Sequence, residues 1–326
     1  MITSHHSILL IQTVLVAYDV CAPWHSFEEY CMNLIDAFIV GVPKSGTTWL
    51  ANTLNQNPVL EISDPKEPNL IASHKGTFDR INDLPNWSEY NKYFKNNLFR
   101  IDASVHTFAC PVSPKRIADK LPNMKFILCI REPVSRTFSH WNMVIDTKAD
   151  IRNSTNWSEF SIAWEDDRLR DDTLYGKSMK RWLEYFPLEN FLIVDSARMK
   201  IEPILVLDEI EHFLSLESYN YNIDLSKHTN SAKNRKKLST IGKIVQKLFS
   251  LVPIFLKGPL VTRLQAKDIN IYTNSLISKE IKINKITNSN YKICSDIVIK
   301  DLKLFEEITN FSTKHWIEEI EYQINQ

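Results

Sequence analysis

The sequence predicts an α/β domain in which a central, mainly parallel sheet is flanked by helices. Three observations carry this expectation. Short, continuous apolar runs recur along the chain, and a strand covered on both faces reads as such a run. Helical patterns stand between these runs, and regular strand–helix alternation marks a parallel sheet. The first run ends in a turn bracketed by two of only six glycines.

The elements follow in order. Residues 36–43 (DAFIVGVP) read as a buried strand, and 47–58 (TTWLANTLNQNP) as a helix stopped by Pro58. Residues 99–103 (FRIDA) and 125–131 (KFILCIR) are further strands. Between them a short helix is expected, with Ser113 as N-cap and Pro114 in its first turn. Pro133 opens the next helix, EPVSRTFSHWNMVID. Residues 174–187 form an amphipathic helix ended by Pro187, 190–197 a strand and 202–216 a helix.

Composition narrows the function. The 326 residues are 44% hydrophobic and 24% charged, enough for a sizeable core. An average chain of this length would hold about 23 glycines; six are present, and no G-x-G-x-x-G occurs. Net charge is +0, which argues against a general nucleic-acid coat. The five cysteines are odd in number and form no C-x-x-C pair. Neither a disulfide framework nor a zinc site is suggested, and a reducing, cytoplasmic location is the expectation. Residues 8–17 (ILLIQTVLVA) make about half a bilayer span. No Lys or Arg precedes them, as a signal peptide would want. Residues 1–34 are therefore expected to be an extension, with no transmembrane segment, and 35–326 a single domain.

The turn at GVPKSGTT carries the chemistry. Gly41 and Gly46 have the spacing of a nucleotide phosphate loop, G-x-x-x-x-G, yet Thr47 stands where that motif has lysine. The lysine lies inside the loop, as Lys44. Strand, tight turn and helix start would aim the backbone N–H groups of Ser45 to Thr48 at an anion. The fold expected is thus P-loop-like, in three layers. A nucleoside triphosphatase also needs a metal-binding carboxylate at a neighbouring strand end. Here that strand ends in Arg131, with Ser139 further along the next helix, a pair suited to a second phosphate. An ordinary salt-bridged arginine is the plainer alternative.

These residues are similar to a known family. PKSGTTWL followed by REPVSRTFSHW resembles the two cofactor motifs of sulfotransferases that use 3′-phosphoadenosine 5′-phosphosulfate (PAPS), over about residues 36–316. Lys66-Glu67-Pro68 and Asp102-Ala103-Ser104 resemble segments of the carbohydrate-type branch, bacterial and Golgi, rather than the cytosolic hormone-type branch. The resemblance implies that Lys44, Ser45, Gly46, Thr47 and Thr48 bind the 5′ phosphosulfate and that Trp49 stacks on adenine. It implies that Arg131 and Ser139 bind the 3′ phosphate and that Tyr175 contacts the base. It further implies that Glu67 is the general base, with Lys66 orienting the acceptor and Lys44 offsetting leaving-group charge. His106 is the rival base. The pattern departs at Leu70, Ile71, Thr173 and Ala197, all bearing on the acceptor pocket. No metal is implied.

Residues 227–268 hold ten Lys or Arg and one acid, Asp268. Within 227–275, the resemblance implies a late basic loop closing over the cofactor, with Lys233 or Arg235 in it. A solvated loop with an amphipathic helix, or weak membrane-surface contact through 240–257, are the other readings. The acceptor is expected to be a saccharide or a small natural product. A P-loop kinase or triphosphatase, and a non-catalytic bisphosphate-binding relative, are the alternative functions.

Overall fold

A computed structural model of the chain describes residues 34–80, 83–96, 98–223, 236–238, 278–280 and 284–326. Five strands make the central sheet: β1 (Ala37–Gly41), β2 (Leu60–Ile62), β3 (Phe99–Asp102), β4 (Lys125–Ile130) and β5 (Phe191–Asp195). Their order is β2-β3-β1-β4-β5, and every neighbouring pair is parallel. The expected parallel α/β architecture is present.

Successive residues of β1 serve opposite faces of the sheet, as strand geometry requires. Phe38 and Val40 join Phe126, Leu128 and Ile130 in one core. Ala37 and Ile39 join Ile101, Ile127, Cys129 and Val194 in the other. Both faces are therefore dry, which is why these strands read as unbroken apolar runs.

The covering helices are α1 (Thr47–Leu54), α2 (Ser113–Ala118), α3 (Pro133–Thr147), α4 (Tyr175–Trp182), α5 (Pro203–Leu214), α6 (Asn288–Thr309) and α7 (Lys314–Ile324). Leu50 and Leu54 of α1 pack with Val206 and Ile210 of α5 in one layer. Val134, Phe138 and Trp141 of α3 pack with α4 and α6 in the other. The helices that follow the adjacent strands β1 and β4 thus lie on opposite faces. In open α/β sheets this reversal opens a crevice at the carboxyl ends of the two strands.

Several boundaries differ from the sequence expectation. Helix α1 stops at Leu54, ahead of Pro58: Gln56 N and Asn57 N close tighter turns on Thr53 O and Leu54 O, and the Asn57 amide donates to Glu211 Oε1 at 2.9 Å. Ser113 is the first residue of α2 rather than its cap; Val112 stands there, with no side-chain cap bond. Of the expected basic insertion at 227–275 the structure describes Lys236–Leu238, paired antiparallel with Ser278–Glu280. The extension 1–34, except buried Leu34, lies outside the described residues, as does the segment 240–257.

The long helix α6, opened by a capping box between Thr287 and Asn290, locks onto α4. Gly176 lets the two backbones meet: an added Cβ would lie 2.5 Å from Asp301 O and 3.0 Å from Phe305 N. Asp301 accepts from Gly176 N and Lys177 N, each at 2.8 Å. A side chain of α6 thereby satisfies two orphan donors at the start of α4. Burial pushes the Asp301 carboxyl up to about 6, outweighing those two bonds.

Two outcomes follow from this contact. Gly176→Ala is expected to cost about 1–3 kcal/mol of stability, because backbone cannot yield as a flexible side chain would; thermal unfolding checks it. The folded state holds the Asp301 proton more tightly than the unfolded chain, whose carboxyl titrates near about 3.9. That contribution is complete below the unfolded value and is lost as pH rises through about 6. Urea unfolding across this range should show wild-type stability falling more steeply with pH than that of Asp301→Asn.

Candidate functional site

The turn from β1 into α1 is built for an anion. Lys44 has φ 72° and Gly46 φ 82°, and left-handed residues in such a turn form the backbone nest that binds anions. Gly46 is the N-cap of α1 with no side-chain cap bond, so the first N–H groups of the helix remain for a ligand. Ser45 is buried, and its hydroxyl oxygen has no hydrogen-bond partner. A buried orphan hydroxyl costs free energy unless something bonds it, and a phosphate oxygen in the nest would. Thr47 is buried, and Thr48 and Trp49 are half-buried beside it.

Arg136, fully buried in α3, braces the turn from below. It donates to Pro43 O at 3.4 Å, Thr137 Oγ1 at 2.7 Å and Thr173 Oγ1 at 3.1 Å. The sequence reading missed this residue. The signal available was an arginine on the apolar face of an amphipathic helix, since long charged side chains are almost never fully buried without partners.

Arg131 lies half-buried at the end of β4, across the crevice from the turn. Tyr175 is buried, and its hydroxyl donates to Arg131 O at 2.9 Å. The ring packs against Phe305 and Trp316. Tyr175 therefore props the strand end through its hydroxyl. Ser139 is half-buried on α3, within three turns of Arg131. Glu132, the acid beside Arg131, is occupied with capping α3: Oε1 accepts from Val134 N and Oε2 from Ser135 N, both at 2.7 Å. Burial pushes its carboxyl up despite those bonds. A carboxylate so engaged is poorly placed to serve a nucleotide-bound metal.

Two sequence-distant motifs meet at the end of β3. Lys66 Nζ donates to Glu67 Oε1 at 2.8 Å and to Ala103 O at 3.1 Å. Asn69 N donates to Ser104 Oγ at 2.9 Å. Asp102 accepts from Ser104 N at 2.7 Å and from Tyr90 Oη at 2.8 Å. Glu67, a third exposed, is thus held at a strand end by a cation and reaches solvent.

His106 is tied to β1 instead. Phe108 N donates to Val40 O at 2.9 Å, and Gly41 admits this segment: an added Cβ would meet Phe108 Cβ at 2.9 Å and Val105 O at 3.1 Å. His106 is buried, with Nδ1 3.6 Å from Asp172 Oδ2. His74 and His140 stand edge-on to its ring, at centroid distances of 5.6 and 5.9 Å. Burial drives His140 down to about 3, and the charges of Arg136, His106 and Lys44 add to that fall. Asp172 is held below the ordinary carboxylate range by His106, His140 and Arg136, against the opposing effect of burial. Burial opposes ionisation of Cys110 too, yet the polar groups of His74, Ser113 and Ser73 around its sulfur bring it to about 6. His74, His140, Asp172 and Cys110 were not singled out in the sequence, because they come from separate segments with no motif spacing. Lys233 and Arg235 lie outside the described residues.

With this geometry established, similarity to known proteins can be weighed. Residues 34–247 match the sulfotransferase domain family. Heparan sulfate glucosamine 3-O-sulfotransferase 5 of Mus musculus is 29% identical over 58% of this chain and 56% of its own. Bifunctional heparan sulfate N-deacetylase/N-sulfotransferase 4 of Mus musculus is 27% identical over 60% of this chain and 24% of its own. The chain spans about half the length of the first of these relatives and a quarter of the second. The crystal structure of a sulfotransferase from Alicyclobacillus acidocaldarius shares the fold, with a TM-score of 0.55 at 17% identity over 86% of this chain and 98% of that one. Among the described residues no helix is long and apolar enough to cross a membrane. The cytoplasmic location expected from the cysteines is contradicted by the similarity to heparan sulfate sulfotransferases. Unpaired, scattered cysteines do not by themselves exclude an oxidising compartment. The match covers most of the chain, and its first part spans the turn, the Arg131 strand and the Lys66–Glu67 segment: the chain belongs to the sulfotransferase domain family.

Proposed function

We propose that the protein transfers a sulfuryl group from PAPS to a hydroxyl of a saccharide. The observation that carries this reading is the turn at Gly41–Gly46, with its left-handed Lys44 and Gly46 and the orphaned, buried Ser45 hydroxyl. It suits the 5′ phosphosulfate, held by Lys44, Ser45, Gly46, Thr47 and Thr48, with Trp49 beside the base. Arg131 and Ser139, across the crevice, suit the 3′ phosphate. When bound, PAPS supplies the sulfuryl group, and adenosine 3′,5′-bisphosphate leaves.

Sulfuryl transfer resembles phosphoryl transfer, an in-line displacement in which positioning and electrostatics dominate. Lys44 carries the positive charge that offsets charge growing on the leaving phosphate oxygen. Glu67 takes the proton of the acceptor hydroxyl as its oxygen attacks sulfur. Lys66, paired with Glu67 at 2.8 Å, orients that carboxylate, and its charge suits an anionic saccharide. The heparan sulfate relatives support a saccharide acceptor.

Glu67→Gln is expected to lower turnover by roughly 10²–10⁴-fold while binding adenosine 3′,5′-bisphosphate as wild type does. Isotopically labelled transfer to a saccharide panel, paired with calorimetry, reads both; normal turnover would remove Glu67 from the role. Arg131→Ala should weaken the 3′,5′-bisphosphate by roughly 10- to 100-fold and adenosine 5′-phosphosulfate far less. Equal losses for the two ligands would sink the 3′-phosphate assignment.

A further inference from the structure

Beside the donor turn, but sharing neither Lys44 nor Glu67, lies a second polar centre. His74, His106 and Asp172 each present one ligand atom, and the three atoms lie within 4.8 Å of one another. All three side chains are more than nine-tenths buried. His106 Nδ1 and Asp172 Oδ2 face each other at 3.6 Å, beyond hydrogen-bond length, and neither has a hydrogen-bond partner. Two such atoms buried together carry a desolvation cost, which a cation between them would offset.

The separation of His106 Nδ1 and Asp172 Oδ2 is close to that of two atoms in one coordination shell. With metal–ligand distances of about 2.0–2.1 Å, two ligand atoms of a tetrahedral ion stand about 3.4 Å apart. The His74 and His106 rings meet edge to face, 74° apart with centroids at 5.6 Å. Two imidazoles diverging from one such ion have centroids about 5 Å apart. We propose that His74, His106 and Asp172 form a binding site for one divalent transition-metal ion of the zinc or cobalt class. Two imidazoles and a carboxylate favour such an ion over calcium or magnesium, which take oxygen ligands.

The surroundings fit a held metal. The Cys110 sulfur stands near His74 and accepts from Ser73 N at 3.2 Å. His140, anchored through Nε2 to Thr77 Oγ1 at 2.7 Å, lies against the His106 ring. Partners of this kind fix the orientation of ligating rings. The positive charges of Arg136 and Lys44 act on the same cluster and oppose a cation, so the Asp172 carboxylate is the indispensable ligand. Three protein ligands leave a fourth position for water. A metal here engages a His106 nitrogen and leaves Glu67 as the group free to accept a proton.

The test uses the full chain without an affinity tag, with His5→Ala and His6→Ala so that the tail does not compete. Cobalt(II) is titrated and read by visible absorbance, then displaced with zinc(II). One cobalt per chain with tetrahedral-type bands is expected, displaced by one equivalent of zinc. His74→Gln and Asp172→Asn should each weaken cobalt by at least about 10-fold with thermal unfolding still cooperative. X-ray absorption of the zinc-loaded parent needs no site variant and should show a nitrogen and oxygen shell with two imidazoles. A missing cobalt band, a sulfur-dominated shell, or unchanged affinity in both folded variants would overturn the site. The outcome is independent of PAPS binding.

Discussion

The close approach of two backbones at Gly41 is the constraint on which the rest of the site depends. With Phe108 Cβ only 2.9 Å from where a Cβ would stand, no other residue fits without moving the strand or its neighbour. That contact holds the 105–108 segment against the end of β1, and the donor turn starts there. It thereby fixes where the Lys44–Gly46 turn and His106 stand relative to the end of β1. Arg136 completes the arrangement from beneath by holding Pro43 O. A buried guanidinium is tolerated there because the carbonyl and the hydroxyls of Thr137 and Thr173 accept its protons.

The electrostatics divide along the sheet. At the end of β3 an ion pair that reaches solvent, Lys66–Glu67, keeps a carboxylate accessible. Between β1 and α3 the polar groups are buried and strongly shifted: His140 downward, Asp172 downward, Cys110 downward. Perturbed groups gather at functional sites, and both clusters flank the same turn. They differ in exposure. The first is partly exposed to solvent, and the second is buried.

Much of the fold was legible in the sequence. Strands β1, β4 and β5 and helices α1, α3 and α5 announce themselves because continuous apolar runs end at Gly41, ahead of Pro133 and at Asp195, and helical patterns follow. The turn from β1 into α1 was legible because the spacing of Gly41 and Gly46 is a backbone requirement and hence local. Strand β2 was not, since three residues, Leu60–Ile62, carry no period. The 22-residue α6 escaped notice; its start is an Asn- and Ser-rich stretch whose capping box becomes visible only in three dimensions. Tyr175 was found by pattern, but its bond to Arg131 O depends on how α4 leans against β4. The His74–His106–Asp172 cluster is wholly a product of tertiary packing: a hairpin, a strand-end loop and a helical turn each contribute one residue.

The bond from α6 to α4 has one further consequence. Asp301 holds the first N–H groups of α4, and Tyr175, the first residue of that helix, holds Arg131 O. A carboxylate beyond the family-matched residues 34–247 is thus two links from the arginine facing the donor crevice. The matched segment is not a transplantable module. Anyone recombining it with acceptor loops from another chain would have to carry α6 along, or rebuild its carboxylate on the new partner.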